Sequence, residues 1–339
     1  MFIASVKRGV CFLATIREIA KAAGVSGATV SRVLSGDKTL SVSPETRERI
    51  MATAQSMNYK IQPPKPEDTV GTVAITDWYT KEVGMTDLYF RAIRWGVELA
   101  LKSRGYQVSR HYFNEELPES SKIIGVIAIG RFSEEDLQEL SELDKPLVII
   151  NQDTLKHGIS CVTADYTNSV EEILTYFLAH GHTHIGLLAG SSTKDRGLED
   201  PRTVAFKNFM ARHKNSADST VLAGDFSIES GYKQMKDAIS KLGDELPTAF
   251  FVESDTMAIG AIKALQENNI AIPERVGIIG FGDLDVSHYI TPSLSTIRLA
   301  TRQMGATSVM LLQGIIDGTI SKPVKLITSN ELILRDSFK

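Results

Sequence analysis

The chain has 339 residues, enough for two or three domains, and its 42% hydrophobic and 23% charged residues are the balance of a globular protein. No apolar run approaches the roughly 18 residues of a membrane span, and the apolar stretch after Lys7 and Arg8 is too short for a secretory signal, so a cytoplasmic protein with no membrane partner is expected. The two cysteines, Cys11 and Cys161, lie far apart without CxxC spacing, which argues against a disulfide framework and a thiolate metal site.

The net charge of −4 conceals an asymmetry. Residues 14–62 carry seven basic side chains (Arg17, Lys21, Arg32, Lys38, Arg47, Arg49, Lys60) against four acids (Glu18, Asp37, Glu45, Glu48), while residues 63–339 carry a net −9. A small basic head on an acidic body is the charge footprint of a nucleic-acid-binding module joined to something else.

In the head, Thr15 caps a helix "IREIAKAA" in which Ile16, Ile19, Ala20 and Ala23 recur at helical spacing, and Gly24 ends it. Ser26 caps the next, "GATVSRVL", whose buried stripe is Val30, Val33 and Leu34, with Ser31 and Arg32 pointing away. A third starts at Ser43 and Pro44 and turns Ile50, Ala54 and Met57 inward. A helix, a glycine turn, a second helix and a packing helix make the helix-turn-helix plan, although periodicity alone is also satisfied by a generic three-helix cap.

"TIREIAKAAGVSGATVSRVLSG" and "VSPETRERIMATAQSMNY" resemble, without a gap, the headpiece of the LacI/GalR family of bacterial transcription regulators. The resemblance implies operator DNA as a partner and places Gly27, Ala28 and Arg32 of the recognition helix against base edges. Arg32 can be bidentate to guanine; Ala28 can touch a thymine methyl, and Gly27 offers no reader, so direct readout is expected to be poor. Thr15, Ser26, Thr29, Ser31, Asn58 and Tyr59 are assigned to the DNA-contacting set, the short polar ones suiting phosphate contacts. The family starts close to Thr15, so translation from near Leu13 is expected, and a native peptide holding Phe2 to Val10 would refute that.

From Val70 onward, "VGTVAIT", "YQVSRHYF", "GVIAIG", "PLVIIN", "HIGLLAG", "TVLAGDF", "TAFFVES" and "VGIIGFG" alternate with helical patterns such as "DLYFRAIRWGVELALKSRG" and "TNSVEEILTYFLAHG". Strands separated by helices imply parallel sheets, and this many imply two doubly wound subdomains. Ligands of such sheets sit beyond the carboxyl ends of the strands. Those ends carry Asp77, Trp78 and Tyr79; Arg131; Asn151, Gln152 and Asp153; Asp165; Asp225 and Phe226; Ser254 and Asp255; and Asp283. Amides, carboxylates and a few aromatics suit a polyhydroxylated ligand such as a sugar, while Asp165 and Asp255 also read as helix N-caps.

The family resemblance extends over this body, to a periplasmic-binding-protein-like fold. It implies that Arg202 of "DPRTVAFKNF" binds effector hydroxyls, that Ser254 and Asp255 of "VESDTMAIG" and Phe226 of "AGDFSIESGY" line the site, and that Asn151 stands where several relatives have Asp. Gly282 stands where relatives often bind ligand with Asp, which shifts that weight to Asp283. "ITDWYTKE", "DLYFRAIRWGVE" and "NQDTL" are most similar to lactose and galactose operon repressors of the evolved-β-galactosidase-repressor type. A galactoside-like effector is therefore implied, without the sign of the response.

Other motifs carry less. "HGHTH" brings His180, His182 and His184 close in sequence, but a helix end, a turn and a strand start account for them without a metal. "GIIGFGD" lacks the GxGxxG spacing of a dinucleotide site, and no GxSxG nucleophile elbow occurs, so neither cofactor nor catalysis is expected. A sugar-binding transport protein and a dinucleotide-dependent enzyme remain as alternatives.

The expected layout is a helix-turn-helix domain at 14–60, a proline-rich linker at 61–69 and an effector-binding and dimerisation domain at 70–339. Its N-subdomain is placed at about 70–161 and 294–321, its C-subdomain at about 162–293 and 322–339. No leucine heptads follow "SNELILR", so a homodimer on a palindromic operator is expected, with residues 85–104 as a candidate interface. The linker "KIQPPKPEDT" lacks the family's Ala-Arg-x-Leu hinge, whose Leu wedges into the minor groove. Pro63, Pro64 and Pro66 favour a stiff extended tether that kinks the operator little, which a DNA-bending assay can check.

Overall fold

The computed structural model describes residues 15–34, 40, 42–57, 59, 70–78, 88–112, 122–191, 199–214 and 217–339, with Gln55 described by its backbone alone. The start-site expectation, the linker, Asn58 and Tyr79 lie outside them. The chain divides into two compact units at Thr69/Val70.

The first unit holds α1 (Ile16–Ala23), α2 (Gly27–Leu34) and α3 (Pro44–Ser56). Thr15 accepts from the Glu18 N–H at 3.3 Å while its own N–H donates to Glu18 Oε2 at 2.7 Å, a reciprocal cap that ties off two orphan donors. Gly24 takes φ +68°, the left-handed conformation that ends α1 and turns the chain toward α2. Ser26 Oγ accepts from the Thr29 N–H at 3.0 Å to open α2. Ile19, Ala20, Ala23, Val30, Val33, Ile50 and Ala54 are buried together, the stripes that the helical spacing predicts.

The second unit is two six-stranded sheets. The first runs β11-β5-β4-β3-β1-β2 and the second β12-β10-β9-β8-β6-β7. In the first are β1 (Gly71–Asp77), β2 (Tyr106–Tyr112), β3 (Ile123–Ile129), β4 (Leu147–Ile150), β5 (Ser160–Ala164) and β11 (Lys325–Thr328). In the second are β6 (His184–Gly190), β7 (Asp218–Gly224), β8 (Ala249–Val252), β9 (Gly277–Gly282), β10 (Ser295–Arg298) and β12 (Glu331–Ile333). All neighbours pair parallel except β12, which runs antiparallel to β10. Among the described residues the chain crosses between sheets after Ala164, after Arg298 and after Thr328.

These crossings correct the expected subdomain limits. β10 pairs with β9 and so belongs to the second sheet, whereas the sequence reading places 294–321 in the N-subdomain. β11 pairs with β5 in the first sheet, whereas the sequence reading places 322–339 in the C-subdomain. The strands "SCVTA", "STIR" and "KLIT" carry no apolar run of the kind that marks the other strands, because buried Ser160, Thr163, Ser295, Thr296 and Thr328 occupy positions usually taken by aliphatics. The hydroxyls of Ser160, Ser295, Thr296 and Thr328 have internal partners; Ser295 Oγ, for example, donates to the Phe338 carbonyl at 3.0 Å.

Helices cover both sheets: α4 (Leu88–Ser103), α5 (Glu134–Glu142) and α10 (Thr301–Ile316) on the first, and α6 (Tyr166–Ala179), α7 (Pro201–Arg212), α8 (Ile228–Leu242) and α9 (Asp255–Glu267) on the second. α4 and α10 cross at Gly96 and Gly305, where a Cβ on Gly96 would lie 2.3 Å from the Arg302 carbonyl oxygen. α8 and α9 cross the same way at Gly231 and Gly260. No described helix is long and apolar enough to cross a membrane.

Candidate functional site

Two surfaces carry chemistry. On α2, Ala28, Ser31 and Arg32 are exposed and Gly27 and Thr29 partly so, opposite the buried Val30 and Val33. Thr29 Oγ1 lies 2.8 Å from Ser26 Oγ, so part of its hydrogen-bonding capacity serves the cap. The helix thus offers one guanidinium, one methyl and small hydroxyls outward, the set expected to meet a major groove.

The second surface lies where the carboxyl ends of the two sheets meet. From the first sheet come Trp78 after β1, Arg131 after β3 and Asn151 after β4; from the second come Phe226 after β7 and Glu253 after β8. Arg131 Nη1 reaches across to Asp200 Oδ2 at 3.3 Å, and its Nη2 to the Glu199 carbonyl at 2.9 Å. Asp200 caps α7 and also receives Arg202 Nε and Nη2, each at 2.8 Å, a bidentate fork. Arg202 Nη1 donates to the Glu253 carbonyl, and the guanidinium lies 5.8, 5.3 and 5.2 Å from the ring centres of Tyr166, Phe226 and Phe281.

Tyr166 and Tyr89 both donate to Asn151 Oδ1, Tyr89 at 2.7 Å, and their hydroxyls lie 3.2 Å apart. The result is a ring of side chains: Tyr89 and Asn151 of the first sheet's lobe, Tyr166 at the crossing, Arg202 and Asp200 of the second lobe, and Arg131 back in the first. Each lobe props an aromatic on a glycine. A Cβ on Gly130 would come within 2.0 Å of Trp78, and one on Gly190 within 2.2 Å of Phe226. Two hollows of about 530 Å³, beside Asp153, Leu155 and Lys156, and about 410 Å³, lined by Pro146, Ile159, Lys322 and neighbours, do not include the ring.

Burial and charge divide the two carboxyls here. Burial alone would raise Asp200, but Arg202's charge and hydrogen bonds, with Arg131's charge, hold it below its ordinary value. Glu253 is fully buried, accepts from the Gly190 N–H at 2.7 Å and Thr203 Oγ1 at 2.5 Å, and is pushed up to about 7, chiefly by burial, against the pull of Arg202. The same site therefore holds one firmly ionised carboxylate and one acid that keeps its proton toward neutrality.

Residues 15–62 match the family described as bacterial regulatory proteins, lacI family, and residues 174–338 match a periplasmic binding protein-like domain. Over 329 residues the chain is 40% identical to the HTH-type transcriptional regulator GalR of Lacticaseibacillus casei, covering 96% of this chain and 99% of that one. The chain belongs to the LacI family. The GalR regulator of Streptococcus thermophilus is 38% identical over 336 residues, covering 96% and 100%. Among solved structures, the Lac repressor bound to ONPG superposes with a TM-score of 0.70 at 21% identity, over 96% of this chain and 100% of that one. The CelR–cellobiose complex gives 0.68 at 24%, over 96% and 99%. Both speak for the fold. As a LacI-family member the chain is a DNA-binding transcriptional regulator.

Within this family frame the structure brings Trp78, Arg131, Asn151, Arg202 and Phe226 to the cleft and gives four other expected effector residues internal work. Asp255 is buried, with Thr296 and Ser287 hydroxyls at 2.6 and 2.7 Å and the Leu284 N–H at 2.8 Å. It fastens β9 and β10 to α9, and burial raises its pKa. Asp283 is clamped by Arg335 at 2.5 Å and Arg298 at 2.6 Å, which hold it below its ordinary value against the opposing effect of burial. Asp77 pairs with Arg94 of α4 at 3.0 Å. Ser254 caps α9, accepting from the Met257 N–H at 3.2 Å. These bonds give all four internal partners.

Sequence reasoning missed Tyr89, Tyr166, Asp200, Glu253 and Phe281. Asp200 was legible as the residue before Pro201, the pattern of a helix N-cap, and Glu253 as an acid at the end of an apolar strand. The two tyrosines gave no signal, because only the fold brings positions 89, 151 and 166 together. The three histidines of "HGHTH" take separate partners: His180 the Tyr176 carbonyl, His182 Thr248 and His184 Thr220.

Proposed function

We propose that this LacI-family regulator represses a sugar-utilisation operon, binding a palindromic operator as a homodimer whose affinity is modulated by a small galactoside-like sugar in the cleft. The supporting observation is the ring that joins the lobes through Arg131, Asp200, Arg202, Tyr166, Asn151 and Tyr89. A ligand inserted there competes for or adds to bonds that set how the lobes stand, which is the differential binding that a two-state response needs. Trp78, Arg131, Asn151, Arg202 and Phe226 would face the sugar, the aromatics taking its C–H patches and the polar groups its hydroxyls.

Relatives named GalR, GanR of Bacillus subtilis, at 33% identity, and MelR of the same species, at 30%, support the sugar class. The regulator carries out no catalysis of its own in this reading and acts in the cytoplasm, where DNA is. The homodimer is supported by an apolar face: Trp95 and Leu99 of α4 are 58% and 54% exposed and Met310 of α10 53%, with Arg302 5.6 Å from the Trp95 ring.

Calorimetric titration of the full chain with a panel of neutral sugars tests the reading. A galactoside is expected to bind, and Arg202→Ala to weaken it about 100-fold, the loss of two hydrogen bonds from a charged donor. Binding unchanged in Arg202→Ala would remove the cleft assignment.

A further inference from the structure

The carboxylates at and behind these strand ends have partners within the protein: Asp200 two arginines, Glu253 Gly190 and Thr203, Asp255 three donors, Asp283 two arginines and Asp77 Arg94. Two groups at this wall keep donor capacity. Arg202 has five N–H groups, of which three are used by Asp200 and the Glu253 carbonyl. Trp78 Nε1 is buried with no hydrogen-bond partner among the described residues.

Asn151 is the group at this wall whose polarity chemistry leaves open, since its amide can present either end. We infer that Tyr89 and Tyr166 lock the Asn151 amide with Oδ1 inward and Nδ2 toward the cleft, so that the ligand is read at this point through an acceptor oxygen. The inference rests on the cleft being the effector site. Its basis is the convergence of two hydroxyl donors on one atom. A carbonyl oxygen has two lone pairs and satisfies both. The flipped amide would point two N–H groups at the two hydroxyls and leave the Tyr166 proton only the Tyr89 oxygen, at 3.2 Å, longer than an ordinary O–H···O bond. Burial keeps Tyr166 protonated, since it raises the phenol's pKa.

The other end of the amide is where a reader belongs. Asn151 is only partly buried, and Nδ2 has no partner among the described residues. Its backbone is fixed too: φ is +80°, a left-handed conformation that Asn tolerates, and its N–H donates to the Val162 carbonyl at 2.9 Å. Tyr89 and Tyr166 are thus positioning residues, acting on the ligand through Asn151.

The substitution Asn151→Asp isolates this effect. One carboxylate oxygen still accepts from both tyrosines, while the other replaces Nδ2 and turns a donor into an acceptor at constant shape. The test titrates the full chain with D-galactose and its singly deoxy and singly deoxyfluoro derivatives, since fluorine keeps a weak acceptor and cannot donate. Wild type is expected to show one ring position where the fluoro derivative binds clearly better than the deoxy derivative, which loses about tenfold. Asn151→Asp should lose that preference, rejecting both derivatives alike there. In the double variant Tyr89→Phe, Tyr166→Phe the ratio of fluoro to deoxy affinity at that position should fall toward one, whatever the change in galactose affinity.

A wild type that rejects fluoro and deoxy derivatives equally at every position, or an Asn151→Asp variant with the wild-type pattern, overturns the lock. If no member of the panel binds, the sugar reading fails by itself, and the lock is then decided without ligand by NMR on asparagine-¹⁵N-labelled full chain. Strong contacts from the Asn151 Nδ2 protons to the Tyr89 and Tyr166 ring protons would show the opposite orientation and refute it; their absence, with the tyrosine hydroxyl protons near Asn151, upholds it.

Discussion

Arg202 answers to two neighbours of opposite kind: the Asp200 carboxylate fixes its plane, and three aromatic rings limit its room. The resemblance of "DPRTVAFKNF" singles this residue out in the sequence, and the structure sets it in the cleft wall. The sequence does not tell the internal partners of Asp283 and Asp255, because an acid at a strand end looks the same whether it faces a ligand or a buried hydroxyl such as Ser287. Glu253 yields a prediction of its own. Unfolded it titrates near 4.5, and folded it keeps its proton to about pH 7. The folded state therefore binds more protons between those values, so stability falls as pH rises through this window, by at most about 3 kcal/mol. Asp200, shifted downward, acts in the opposite sense only in stronger acid. Glu253→Gln mimics the protonated acid, so denaturant unfolding should show the variant gaining on wild type from pH 5 to pH 8; parallel profiles would exclude Glu253 as the titrating group. In the headpiece, Arg32→Ala should cost about 1–3 kcal/mol of specific operator binding and relax preference at one base pair, measured by competition with mutated operators.

Among the elements, the headpiece helices were legible almost to the residue, since Thr15, Gly24, Ser26 and Ser43 mark their ends and the buried stripes follow the spacing. The long apolar strands were equally plain. β5, β10 and β11 were not, because a strand that buries hydroxyls among its apolar residues displays neither an apolar run nor an alternation. Strand ends also prepare the site. Gly190 ends β6 beneath Phe226, and its own φ is unexceptional, so an alanine there fits the backbone but collides with the ring. Gly190→Ala should displace Phe226 from Arg202 and weaken sugar binding about tenfold, with operator binding by the sugar-free protein retained. Sugar affinity unchanged in this variant would show that Phe226 does not face the ligand.

At the scale of the molecule, the three crossings among the described residues join two lobes whose cleft surfaces are bridged by the Arg131–Asp200 contact, 3.3 Å long and largely buried. A buried pair of this kind contributes little net stability, yet breaking one side is costly, which suits it to marking one arrangement of the lobes over another. The basic head and acidic body, taken with the helical pattern of the head, point to a two-part plan, whereas the crossing points needed the strand pairing. The central claim is that DNA binding by the headpiece answers to a sugar in the body. The most direct measurement is fluorescence anisotropy of the full chain on palindromic promoter DNA, at fixed low salt, with and without saturating galactoside. The account predicts sequence-specific binding whose affinity changes at least about fivefold with the sugar and not in Arg202→Ala. Specific binding that no sugar alters, or an equal response in Arg202→Ala, would contradict it.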